Sequence, residues 1–193
     1  MSERKRRAKP GEAKDKIFEA ALTLFEARGF DAVAVPEIAA EAGVAVGSIY
    51  RHAASKDALV NSLFQDLKSK FNARVFAPTP ADADTEAQFR IYWRRLSAWV
   101  LEEPVAARFL DLHYHAPYLD AKSLALEAAW LRAAQSFAEI GVREGALRPM
   151  TGDLLAALIW GPIAGLLKYS PDGRVDPDLL AAAEPRVWAA ISA

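Results

Sequence analysis

Apolar residues recur along this chain at helical spacing, and nowhere alternate as in a strand. Ile17, Phe18, Ala21, Leu22 and Phe25 mark one face of a helix over about 12–28, closed by Gly29. Pro36 suits the first turn of a second helix, PEIAAEAG, whose inner face carries Ile38 and Ala42 and whose end is Gly43. A short third helix is expected over about 46–52. Ser55 is placed to cap a fourth, with Leu59, Leu63, Leu67 and Phe71 as its inner stripe.

Residues 76–85, FAPTPADADT, break the periodicity and read as a junction. Beyond it the pattern predicts helices over about 86–102, 105–113, 119–140, 151–168 and 177–191. Phe89, Trp93, Leu96 and Val100 form the stripe of the first of these, with Trp99 at its edge, and Pro162 should bend the fourth. The expected class is all-α: a flexible basic arm over 1–11, a helix-turn-helix domain with a connecting helix over 12–75, and a helical bundle over 76–193.

Composition sharpens this division. The chain has 193 residues and a formal net charge of -1. Residues 1–75 carry 13 Lys/Arg against 10 Asp/Glu, and residues 76–193 carry 11 against 15. A basic front and an acidic rear point to a polyanion meeting only the front. There is no cysteine, so disulfide and thiolate chemistry are excluded. The run RKRR at 4–7 has no apolar stretch after it and does not read as a signal peptide. LLAALIWGPIAGLL at 154–167 is short for a membrane span and reads as a buried helix; no membrane association is expected.

The stretch GVAVGSIYRHAASKDALV from Gly43 concentrates hydrogen-bonding groups on a very short helix. Val44 and Ile49 can face the core, while Ser48, Tyr50, Arg51 and His52 lie around the rest. The major groove of DNA admits such a helix. Tyr50 and His52 suit phosphate contacts, Ser48 and Gly47 lie at the helix start, and Lys56 at the next helix start suits a phosphate. Packing of Tyr50 in a small core, with His52 and Lys56 as ordinary surface residues, is the competing reading.

Phe25, Gly29-Phe30, Ile38-Ala39, Ala42-Gly43-Val44, Gly47-Ser48, Ile49-Tyr50 and Lys56 with Leu59 together closely resemble the N-terminal domain of the TetR family of bacterial transcriptional regulators. The resemblance covers about residues 14–65. It implies a homodimeric, cytoplasmic DNA-binding regulator, most often a repressor, released from a palindromic operator when a small molecule enters the rear domain. It also implies DNA-facing positions at Ser48, Tyr50, His52 and Lys56. The sequence departs from the family at Ala34 and Val35, where a capping hydroxyl is usual, and at Ala53, where an aromatic residue is usual. A missing cap costs about 1 kcal/mol. These departures motivate the alternative of a small-molecule-binding helical protein with a degenerate DNA-binding domain.

The rear half is rich in large aromatic residues. Trp93, Trp99, Phe109, Tyr114, Tyr118, Trp130, Phe137 and Trp160, with His113 as a hydrogen-bonding group, are candidates to line a cavity for an apolar or aromatic effector, against plain core packing for each. Arg94, Arg95 and Arg108 lie near this cluster, where solvent exposure competes with pairing to an anionic ligand. DLHYHAPYLD holds His113 and His115 with Asp111 and Asp120, but the i, i+2 spacing points the imidazoles to different helix faces, so no metal and no cofactor is expected. No nucleophile–base pair or paired carboxylate stands out, and an enzyme is not expected. The apolar, small-residue segments 123–140 and 151–168 are the expected homodimer surface.

Overall fold

The computed structural model describes residues 10–113, 117–170 and 173–193. The expected arm over 1–11 falls almost wholly outside them, as do Tyr114 and His115. Among the described residues the regular structure is helical: α1 Pro10–Arg28, α2 Val35–Glu41, α3 Val46–Tyr50, α4 Lys56–Val75, α5 Thr85–Glu102, α6 Pro104–His113, α7 Ala121–Arg143, α8 Gly152–Tyr169 and α9 Pro177–Ile191. The chain forms two compact units, Met1–Phe64 and Gln65–Ala193. The division falls inside α4, whereas the loss of periodicity points to the 76–85 junction. A continuous helix hides such a boundary, because both units draw on one apolar stripe.

In the first unit α1 packs on α2 and α2 on α3. Ile17, Phe18, Ala21 and Phe25 of α1 are buried with Ile38, Ala39, Ile49, Leu59 and Leu63. The Phe30 ring folds back to 5.6 Å from that of Phe25. α2 begins without a side-chain cap on Ala34. Glu37 compensates by reaching back, its Oε2 accepting the Ala34 N–H at 2.8 Å. The turn between α2 and α3 depends on Gly43, whose φ of 64° would strain a residue bearing a Cβ. Ser55 caps α4 as expected, its Oγ accepting the Ala58 N–H at 3.0 Å.

The second unit contains α5–α9 and the later part of α4. α7 runs against α8, α8 also meets α6 and α9, and α5 packs on α6 and α9. Asp84, Asp120, Thr151 and Asp176 cap α5, α7, α8 and α9 through their side-chain oxygens. Gly152 permits the close approach of α8 to α7, since a Cβ there would stand 2.5 Å from the Gln135 backbone. α8 continues through Pro162 and α9 through Pro185. Each proline leaves one carbonyl of the preceding turn without its helical donor. A bridge between Leu147 and Ser192 ties the chain end to the α7–α8 connection. No helix among the described residues is long and apolar enough to cross a membrane.

Arg95 donates to the carbonyls of Val75, Ala77 and Pro78, fixing the start of the junction. Arg108 donates to the carbonyl of Gly173. Arg94 is exposed on α5, and its Nε donates to the Arg90 carbonyl.

Candidate functional site

The short α3 is held by one buried anchor. Ile49 is inaccessible, while Gly47, Tyr50, Arg51 and His52 are exposed and Ser48 is half-buried. Tyr50 is 53% exposed, which rules out the core-packing reading for its ring within this unit. A Cβ on Gly47 would meet nothing within 4 Å, so the surface at the start of α3 is open. Arg51 Nη2 donates to Ser48 Oγ at 2.8 Å, pre-setting both side chains on one side of the helix. The observed helix ends at Tyr50, so Arg51 and His52 sit at its C-terminal turn.

Lys56 has a structural role that its sequence position does not reveal. Its Nζ donates to the carbonyls of Phe30, at 2.9 Å, and Val33, at 3.1 Å. The ammonium also lies 4.1 Å from the centroid of the Phe30 ring. Two of its three N–H groups therefore hold the α1–α2 connection in place. Ala53, in place of the family's aromatic residue, is buried.

In the second unit, a cavity of about 270 Å³ is bounded by α4, α5, α6, α7 and α8. Trp99, Trp130 and Trp160 line it, together with Phe71. Phe71 meets Trp99 edge-on at 5.7 Å between ring centroids and lies 6.0 Å from Trp130. A smaller space of about 60 Å³ is lined by Trp93 and Phe137, and Trp130 contributes to both. Trp93 Nε1 is satisfied by the Leu180 carbonyl at 3.2 Å. Phe109, His113 and Tyr118 line neither cavity. They pack together instead: the Phe109 and His113 rings are 4.4 Å apart, and His113 Nδ1 is hydrogen-bonded to the Tyr118 hydroxyl. Burial lowers the His113 pKa and favours the neutral imidazole. Among the described residues no group of three His, Asp or Glu side chains is placed to hold a metal.

The cavity also contains polar groups that the aromatic count overlooked. Lys68 and Glu127 form an ion pair, Nζ to Oε2 2.6 Å, with side chains only 8% and 15% exposed. Glu127 Oε2 is buried and has no hydrogen-bond partner beyond this ionic contact. The Lys68 ammonium is also 4.9 Å from the Phe71 ring centroid. Asp111 Oδ1 accepts the Trp160 Nε1–H at 2.6 Å, and Asp153 stands at the rim. Trp99 is 4% exposed and its Nε1 has no hydrogen-bond partner. The signal for Lys68 was present in the sequence: it sits between Phe64 and Phe71 on the inner stripe of α4, a charge on an apolar face.

A helix-turn-helix with an exposed, hydrogen-bonding second helix, followed by a helical unit with its own cavity, is the architecture of a DNA-binding transcriptional regulator. The family profile described as bacterial regulatory proteins, tetR family, matches residues 17–63, and one described as tetracyclin repressor-like, C-terminal domain, matches residues 64–193. The chain belongs to the TetR family of transcriptional regulators, whose members are DNA-binding proteins and not enzymes. It is 27% identical over 150 residues to the HTH-type transcriptional repressor KstR2 of Mycolicibacterium smegmatis, covering 74% of this chain and 71% of that protein. Two solved structures share the fold. A TetR family transcription regulator from Marinobacter aquaeolei VT8 superposes with a TM-score of 0.81 at 20% identity, over 94% of this chain and 96% of the other. The ketosteroid transcriptional regulator KstR2 of Mycobacterium tuberculosis superposes with a TM-score of 0.76 at 19% identity, over 93% and 95%.

Proposed function

We propose that this regulator is a cytoplasmic homodimeric repressor, released from a palindromic operator by a small apolar or aromatic effector bound in the second unit. The observation that carries the reading is the exposed face of α3 over the buried Ile49, inside a domain that matches the family. Tyr50, Arg51 and His52 contact the DNA backbone and base edges, and Ser48 and Gly47 bring the helix start close to it. Lys56 gives its remaining N–H to a phosphate while fixing the α1–α2 connection. The effector contacts Trp99, Trp130 and Trp160 in the larger cavity.

The dimer forms through α7 and α8. Leu124, Leu131 and Ile140 on α7 and Leu154 on α8 are exposed within the protomer, and Gly161 and Gly165 have open space before them. Large exposed apolar side chains on two adjacent helices favour a covered face. A two-fold dimer presents two copies of α3 to two half-sites.

A degenerate DNA-binding domain is less well supported, because Glu37 supplies the α2 start with a partner and Ala53 is buried without exposing the core. The test is fluorescence anisotropy with fragments selected from genomic DNA by the purified protein, at two salt concentrations. Nanomolar, salt-sensitive binding of a dimer to a palindrome is the expected result. Failure of selection to enrich any sequence refutes the repressor reading.

A further inference from the structure

We propose that the larger cavity selects a hydrophobic organic cation. This deepens the effector reading above and rests on it. The first argument is charge. Three carboxylates line the cavity, those of Asp111, Glu127 and Asp153, against the single ammonium of Lys68. That ammonium is already engaged, 2.6 Å from Glu127 Oε2 and 4.9 Å from the Phe71 ring centroid. Asp111 and Asp153 therefore leave a formal surplus of negative charge facing the ligand space. An anionic ligand would have to displace Glu127 from Lys68 and strand a buried carboxylate, a costly exchange.

The second argument is the walls. Phe71, Trp99, Trp130 and Trp160 present π-systems around this space. The negative face of an indole attracts a cation, most strongly where water is excluded. A neutral hydrocarbon would gain the same apolar contact without that attraction.

The third argument is size. The volume, about 270 Å³, suits a compact molecule of one or two rings rather than a long chain.

Isothermal titration of the full-length protein with shape-matched probes tests this. Benzyltrimethylammonium should bind about tenfold more tightly than its neutral isostere neopentylbenzene or than phenylacetate. Asp111→Asn retains an acceptor for Trp160, and Asp153→Asn lies at the rim. Each should weaken the cation about threefold or more and leave neopentylbenzene unchanged, with unaltered melting curves as the control for folding. Equal or tighter binding of the neutral or anionic probe, or saturation by none of the three, overturns the proposal. Operator release, followed in parallel by anisotropy, separates the two readings. Cation binding without release removes the effector function and leaves the selectivity standing. Release by the anion or the hydrocarbon retains the function and removes the selectivity.

Discussion

The two units use polar side chains in opposite ways. In the first, the polar groups of α3 point to solvent, and the interior beneath them is apolar, anchored by Ile49, Ile38 and Phe25. In the second, charges enter the interior: Lys68 and Glu127 pair beside a cavity lined by aromatic and aliphatic side chains and two further carboxylates. A surface built for a polyanion can leave its donors hydrated until the partner arrives, at little cost to folding. A cavity built for a small molecule must hold its charges in place beforehand, and each must be compensated within the fold. Mutations on the exposed face of α3 should therefore separate recognition from stability, and mutations of the charges in the second unit should couple them.

The strongest challenge to this contrast is to break the buried pair. Glu127→Leu strands the Lys68 ammonium and should destabilise the protein by about 3 kcal/mol, read from chemical denaturation, while Lys68→Met/Glu127→Leu should recover most of the loss. A double variant as unstable as the single one would show that the pair itself, and not its compensation, holds the second unit. Tyr50→Ala should do the reverse in the first unit: operator affinity falls about tenfold, roughly 1.4 kcal/mol, with the melting temperature unchanged. A fall in stability of that size would mean that the ring supports the fold.

A smaller effect concerns the start of α2. Ala34→Ser supplies the missing capping oxygen and should stabilise the first unit by about 1 kcal/mol in thermal unfolding. If it has no effect, the Glu37 N–H, which already donates to the Ala34 carbonyl at 2.9 Å, gains nothing from a capping oxygen. The subtlest test is pH. The Ala34 N–H, and then the Arg28 guanidinium 2.7 Å away, lower the Glu37 pKa below the ordinary glutamate range. A carboxylate with a depressed folded pKa adds stability above its unfolded pKa, and that stability is lost as pH falls through the folded value. Glu37→Gln should therefore lower stability at neutral pH and flatten the acid limb of the stability profile. An unchanged acid limb would remove Glu37 from the account of this helix start.

Local signals in the sequence carried the helices and turns of the first unit. Helical periodicity placed α1, α2 and the stripe of α4, and Gly43 and Ser55 marked turns whose chemistry is local. The exposure of Tyr50, left open by the sequence against packing in a small core, was decided by the fold, in which α3 buries Ile49 alone. Lys56 could not be read in the same way, because its acceptors, the carbonyls of Phe30 and Val33, lie 26 and 23 residues away. In the second unit the sequence by itself determined the helices and the surplus of aromatic residues, and tertiary structure decided which rings meet a cavity. Trp99, Trp130 and Trp160 do so, while Phe109, His113 and Tyr118 form a separate cluster. Periodicity gives the face of a helix but not the neighbour that face meets. The pairing of Lys68 on α4 with Glu127 on α7, and the orphaned Trp99 donor, arise only when helices distant in sequence are packed and each polar group finds, or fails to find, a partner.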